Sequence, residues 1–113
     1  MKFEADVHLF EWFRHIDITE DRFQWDQGNK TKNFIKHKVT KEEVTEIFQS
    51  EFVLGGRIVE PFHPENRWIL FGETIEERLL TLIFTIRDDL IRPISARPMR
   101  KKERKIYEET LER

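Results

Sequence analysis

Leu79-Leu80-Thr81-Leu82-Ile83-Phe84-Thr85-Ile86 is the longest apolar run in the chain, interrupted only by two threonines. It is far shorter than the ~20 residues a membrane-spanning helix needs, and its β-branched and aromatic content predicts a strand. Read with a period of two, Leu80, Leu82 and Phe84 form a wholly apolar face, and Leu79, Thr81, Ile83 and Thr85 a mixed one. Such a strand belongs inside an antiparallel sheet whose first face is covered by helices and whose second is partly open.

Working outward, the same short runs recur on both sides. Strands are predicted near 52–60, 67–73, 79–86 and 91–96, with breaks at Pro61 to Asn66, Glu73 to Glu77 and Arg87-Asp88-Asp89. Upstream the period changes. Thr40-Lys41-Glu42-Glu43 has the spacing of a capping box, and Val44, Ile47 and Phe48 follow at helical spacing, which predicts a helix from about Lys41 to Ser50. Phe23 to Asp26 reads as a short strand running into a helix over Gln27 to Lys36, with Asp26 accepting from the first-turn amides. His37-Lys38-Val39 leaves room only for a tight turn between the helices. Downstream, Pro98 closes the last strand, and Met99, Ile106, Tyr107 and Leu111 form an apolar stripe on a basic terminal helix. The expected fold class is α+β: an antiparallel sheet of four to five strands with two N-terminal helices and one C-terminal helix. Residues 1–22 match neither period and are set apart as an N-terminal extension of unknown role, before a single domain over 23–113.

Composition bounds the chemistry. The 113 residues contain no cysteine, which removes disulfides, thiol nucleophiles and thiolate metal sites together. His8, His15, His37 and His63 are scattered, with no spacing of metal ligands, so no metal or other cofactor is expected. The N-terminus lacks the basic flank and apolar stretch of a secretory signal, which predicts a cytoplasmic protein without membrane contact. The net charge of −2 hides an asymmetry: residues 1–28 hold seven acids and three bases, and residues 87–105 hold eight bases and three acids. A basic end of this kind suits a polyanion or an acidic partner.

Several of these residues also carry a resemblance. Phe23-x-Trp25-Asp26, Asn33, Lys36-His37, Val39, Glu43 and Phe48, then Arg67, Gly72, Arg78-Leu79-Leu80, Thr85, Ile94-Ser95-Ala96-Arg97, Glu103-Arg104 and Tyr107, resemble the ordered signature of BrnT toxins over about residues 23–107. Two positions depart from it. Lys38 stands where the family commonly has the glycine suited to a left-handed helix cap, and Asn29-Lys30 replaces a first-helix lysine. The resemblance implies a RelE-like fold and RNA cleavage that halts translation. It also implies neutralisation by a BrnA-like antitoxin, operator DNA being reached only through the toxin–antitoxin complex.

Metal-free RNA cleavage needs a base for the 2′-hydroxyl, cations for the charge building on the phosphate, and an acid for the leaving oxygen. The expected catalytic set is His37 as proton carrier with Arg67, Arg78 and Arg97 as phosphate cations. Arg67 and Arg78 are expected near neighbouring strand ends, where they would clamp one phosphate. Arg92 and Arg97 fall on opposite faces by simple alternation unless a bulge intervenes. Lys36, Arg92, Arg100, Lys101, Arg104 and Tyr107 are the candidates for RNA or antitoxin contact. Each has a plainer reading: His37 as a cap on helix carbonyls, strand-end arginines as surface ion pairs, Tyr107 as core, and residues 100–105 as a solvated helix face. The alternative functions are a non-catalytic module acting with its antitoxin as a DNA-bound repressor, and a stand-alone nucleic-acid binder.

Overall fold

The computed structural model describes residues 1–29 and 36–112. A five-stranded antiparallel meander runs in sequence order: β1 Lys2–Glu4, β2 Val53–Glu60, β3 Trp68–Glu73, β4 Leu79–Arg87 and β5 Leu90–Pro98. Three further elements flank it, α1 Val7–Arg14, α2 Lys41–Glu46 and α3 Lys101–Thr110. Residues 27–29 and 36–37 are also helical, and the rest of the helix expected over Gln27 to Lys36 lies outside the described residues. No helix among the described residues is long and apolar enough to cross a membrane.

The apolar face of β4 decides the layering. Leu80, Leu82 and Phe84 pack with Leu70, Ile91 and Ala96 against Leu9, Val39, Val44, Ile47 and Phe48 from the helical segments. The opposite face carries a smaller cluster of Val53, Ile69 and Phe71, which Tyr107 of α3 covers, with Ile58 and Ile83 at its margin. The α2 capping box forms as its spacing requires: the Glu43 amide donates to Thr40 Oγ1 at 3.1 Å and the Thr40 amide to Glu43 Oε1 at 3.0 Å. The helix then tightens into a 3-10 turn, Ile47–Gln49.

One correction concerns the N-terminal part. The strand expected over Phe23 to Asp26 is a single parallel bridge, Phe23 to Ile91, because Asp26 already begins a helix cap. The Asn29 amide donates to Asp26 Oδ1 at 3.0 Å, and the Asp26 amide returns the bond to Asn29 Oδ1 at 2.7 Å. Residues 1–22 are built into the domain: β1 extends the sheet, Leu9 is buried, and Trp12, Phe13 and Ile18 pack on the main core.

β1 reaches the sheet at a glycine. The β2–β3 register shifts between Leu54 and Gly56, and Gly56 has φ +126°. A Cβ there would sit 2.0 Å from the Glu4 carbonyl oxygen. Gly56→Ala is therefore expected to displace β1 and destabilise the fold by more than about 1 kcal/mol. Faster hydrogen exchange of the β1–β2 amides would report it; unchanged exchange and melting temperature would contradict it.

Candidate active site

The end of the sheet where β4 begins and β5 ends gathers most of the chemistry. His37 is the last helical residue of its segment, and Lys38 follows with φ +57° in the left-handed region. A lysine there forgoes the freedom of glycine, and Arg78 supplies the compensating contacts. Its Nη2 donates to the His37 carbonyl at 3.0 Å and its Nη1 to the Lys38 carbonyl at 2.7 Å. The same Nη1 meets both oxygens of Glu43, at 3.2 and 3.1 Å. Helix-end carbonyls that lack intrahelical partners are thus met by a cation, which the helix dipole also favours. Burial pushes the Glu43 carboxyl up, but the Thr40 amide and the Arg78 guanidinium outweigh it and hold the group below its ordinary value.

Arg97 lies deeper. It faces Thr81 across β4, and its guanidinium forks onto Glu103 of α3 with Nη1 to Oε1 at 2.7 Å and Nη2 to Oε2 at 2.8 Å. Both side chains are only 9% exposed. The Thr81 hydroxyl at 3.0 Å and the Arg100 amide at 2.8 Å complete the coordination of Glu103 Oε1. Burial again pushes the Glu103 carboxyl up, and these donors, Arg97 foremost, pull it below its ordinary value. The planar fork suits a carboxylate bidentately, so Arg97 is committed to α3.

His37 is half-buried beside these groups. Desolvation first, then the positive charges of Lys36 and Arg97, push its imidazole below the ordinary histidine value. At neutral pH the ring is therefore neutral and able to accept a proton, within a cationic field that draws phosphate. Its backbone carbonyl is what Arg78 caps.

The remaining candidates separate. Arg67 and Arg78 do not share a strand end. Trp68 pairs with Phe84 and Glu73 with Leu79, so the residues preceding β3 and β4 lie at opposite ends of an antiparallel pair, about 24 Å apart at roughly 3.4 Å per residue. A joint phosphate clamp is excluded by that register. Arg92 and Arg97 fall on the same face, because a bulge opposite Ile83 and Phe84 restores the phase; Arg92 is spent on Asp26 at 2.8 Å. Tyr107 is fully buried on the inner face of α3 and presents no ring to solvent. Arg104 is exposed and pairs with Glu108 at 3.0 Å, whereas Lys36, Arg100 and Lys101 are exposed and enter no ion pair among the described residues. Glu43, Glu103 and Asn29 are the residues whose site role the sequence reading missed. Asn29 is buried and ties the Gln24 and Pro93 carbonyls at 2.9 and 3.1 Å. A common signal existed: each stands three residues after a helix-capping position. Among the described residues no three His, Cys, Asp or Glu side chains are grouped to hold a metal.

A family model described as the ribonuclease toxin, BrnT, of a type II toxin-antitoxin system matches residues 25–103. The chain belongs to the BrnT toxin family, and membership brings with it an antitoxin partner. No curated protein matches the chain.

Proposed function

We propose that this chain is an endoribonuclease that cleaves RNA without metal, inhibits translation, and is silenced by a BrnA-like antitoxin. The observation that carries the reading is the setting of His37: a half-exposed imidazole kept unprotonated by desolvation and by the charges of Lys36 and Arg97, on a backbone that Arg78 clamps. His37 takes the 2′-hydroxyl proton, the 2′-oxygen attacks the adjacent phosphorus, and the P–O5′ bond breaks as the 5′-oxygen takes a proton from water, producing a 2′,3′-cyclic phosphate and a 5′-hydroxyl. Lys36, with Arg100 and Lys101 at the N-terminal end of α3, meets the charge on the phosphate oxygens. Arg78 and Arg97 act as positioning residues, the first on the His37 backbone and the second through its field and its tie to α3.

One observation favours the rival reading of a non-catalytic module acting with its antitoxin on operator DNA: the Arg78 and Arg97 guanidiniums are already held by carboxylates. The two readings part on a single substrate. Antitoxin-free protein with chelator present is expected to cut an all-ribose oligonucleotide and to spare the same oligonucleotide carrying 2′-deoxyribose at the scissile position. Equal cutting of both, or no cutting of either with or without ribosomes, contradicts the proposal.

A further inference from the structure

The part of the second sheet face that α3 leaves uncovered holds a cavity of about 240 Å³. Ile58, Pro61, Phe62 and Ile83 give it apolar walls, and His63 and Arg67 add two polar groups. Phe62 is 83% exposed. Arg67 differs from the other arginines along the sheet. Arg57, Arg78, Arg87, Arg92 and Arg97 each bond a carboxylate, whereas Arg67 Nε is buried without an acceptor among the described residues. A buried donor without a partner is unfavourable until an acceptor reaches it. Arg87 illustrates the acceptor that fits, since its Nε and Nη2 close on Glu65 at 2.6 and 2.9 Å.

The cavity continues along the face. A second hollow, floored by Phe3 and Ile106 and rimmed by Arg100, Lys101 and Lys102, shares Met1 with the first. Arg104 and Lys105 are paired with Glu108 and Glu109, but among the described residues no ion pair involves the three rim cations. One groove therefore runs from a buried guanidinium Nε without an acceptor among the described residues, in an apolar pocket, to a cluster of charges that enter no ion pair among the described residues beside the proposed catalytic end.

We propose that this groove docks the antitoxin through an acidic amphipathic segment. A bulky apolar side chain of that segment fills the cavity, a neighbouring carboxylate closes on Arg67, and further acids lie over Arg100, Lys101 and Lys102. RNA fits the cavity less well: a base edge among Ile58, Pro61 and Ile83 would lose its water without hydrogen-bond replacements. Arg67 also lies at the far end of the sheet from His37. Occupation of the groove would cover the phosphate-binding cations of α3, which gives neutralisation a physical route. The inference rests on the antitoxin that family membership brings, not on the assignment of His37, and the two fail separately.

The probe is a purified BrnA-like antitoxin, titrated against the full-length protein. Arg67→Gln and Phe62→Ser, both at positions outside the core, are expected to weaken binding on the order of 30-fold or more while leaving RNA cleavage by the free protein unchanged. A photo-crosslinking residue at position 62 is expected to capture the antitoxin. Affinities within twofold of the parent for both variants would overturn the proposal. So would loss of RNA cleavage in folded Arg67→Gln, or a position-62 crosslink to single-stranded RNA in place of the antitoxin.

Discussion

Glu103→Ala is expected to lower folding stability by about 3–5 kcal/mol, because it leaves the Arg97 guanidinium buried without a counter-charge. That is a large share of the roughly 5–15 kcal/mol available to a domain. Both members of the pair are 9% exposed, and the Glu103 carboxylate also receives Thr81 and the Arg100 amide, so its loss unties α3 from the sheet. Replacing both partners, Arg97→Met with Glu103→Leu, is expected to recover much of the loss, since the cost lies in an unpaired buried charge rather than in a missing attraction. The same carboxyl makes the fold acid-sensitive. Its folded-state pKa is depressed, so its contribution is complete above the ordinary glutamate value of about 4.3 and is lost as the pH falls through the lower folded value. Glu43, depressed in the same direction, adds to the loss in the same window. Denaturant titrations of the single and double variants at neutral pH check the first claim. A Glu103→Ala protein within 1 kcal/mol of the parent, by the scale of ordinary surface changes, would contradict it.

His37→Ala carries the largest expected effect on activity. A positioned general base is worth on the order of a hundred- to ten-thousand-fold in rate, and the account gives that role to one imidazole. The variant should stay folded, because the contacts that anchor this segment run through the His37 and Lys38 carbonyls, which the substitution leaves in place. Cleavage within tenfold of the parent, by a folded His37→Ala protein, would remove His37 from the mechanism.

The sheet was legible because the alternation of Leu80, Leu82 and Phe84 against Thr81 and Thr85 is a local pattern that tertiary contacts reinforce. The α2 capping box was legible for the same reason: Thr40 and Glu43 satisfy each other without help from elsewhere. Residues 1–22 were opaque because β1 is three residues long and α1 only eight, so neither period has room to declare itself. Their places come from partners distant in sequence, Gly56 for β1 and the Phe48 and Phe84 rings for Phe13. The candidate site shows a similar division. Residue type marked out the arginines, but whether a guanidinium is left for substrate depends on which carboxylate folding brings to it. Glu43 stands 35 residues from Arg78, whereas Glu103 is only six from Arg97 and on another element. The Arg67–Arg78 clamp failed on strand direction, since two consecutive antiparallel strands begin at opposite ends of their pair.

The central claim is that a desolvated, cation-flanked His37 acts as the base, and the most direct measurement is kcat/KM for RNA cleavage by antitoxin-free protein across pH. The imidazole stays unprotonated further into acid than an ordinary histidine, so activity is predicted to hold through about pH 6.5 and fall only below it. Lys36→Ala, which removes one of the flanking charges, is predicted to move that limb upward, and His37→Ala to abolish it. An acid limb at or above the ordinary histidine value, or one that persists in His37→Ala, would contradict the account.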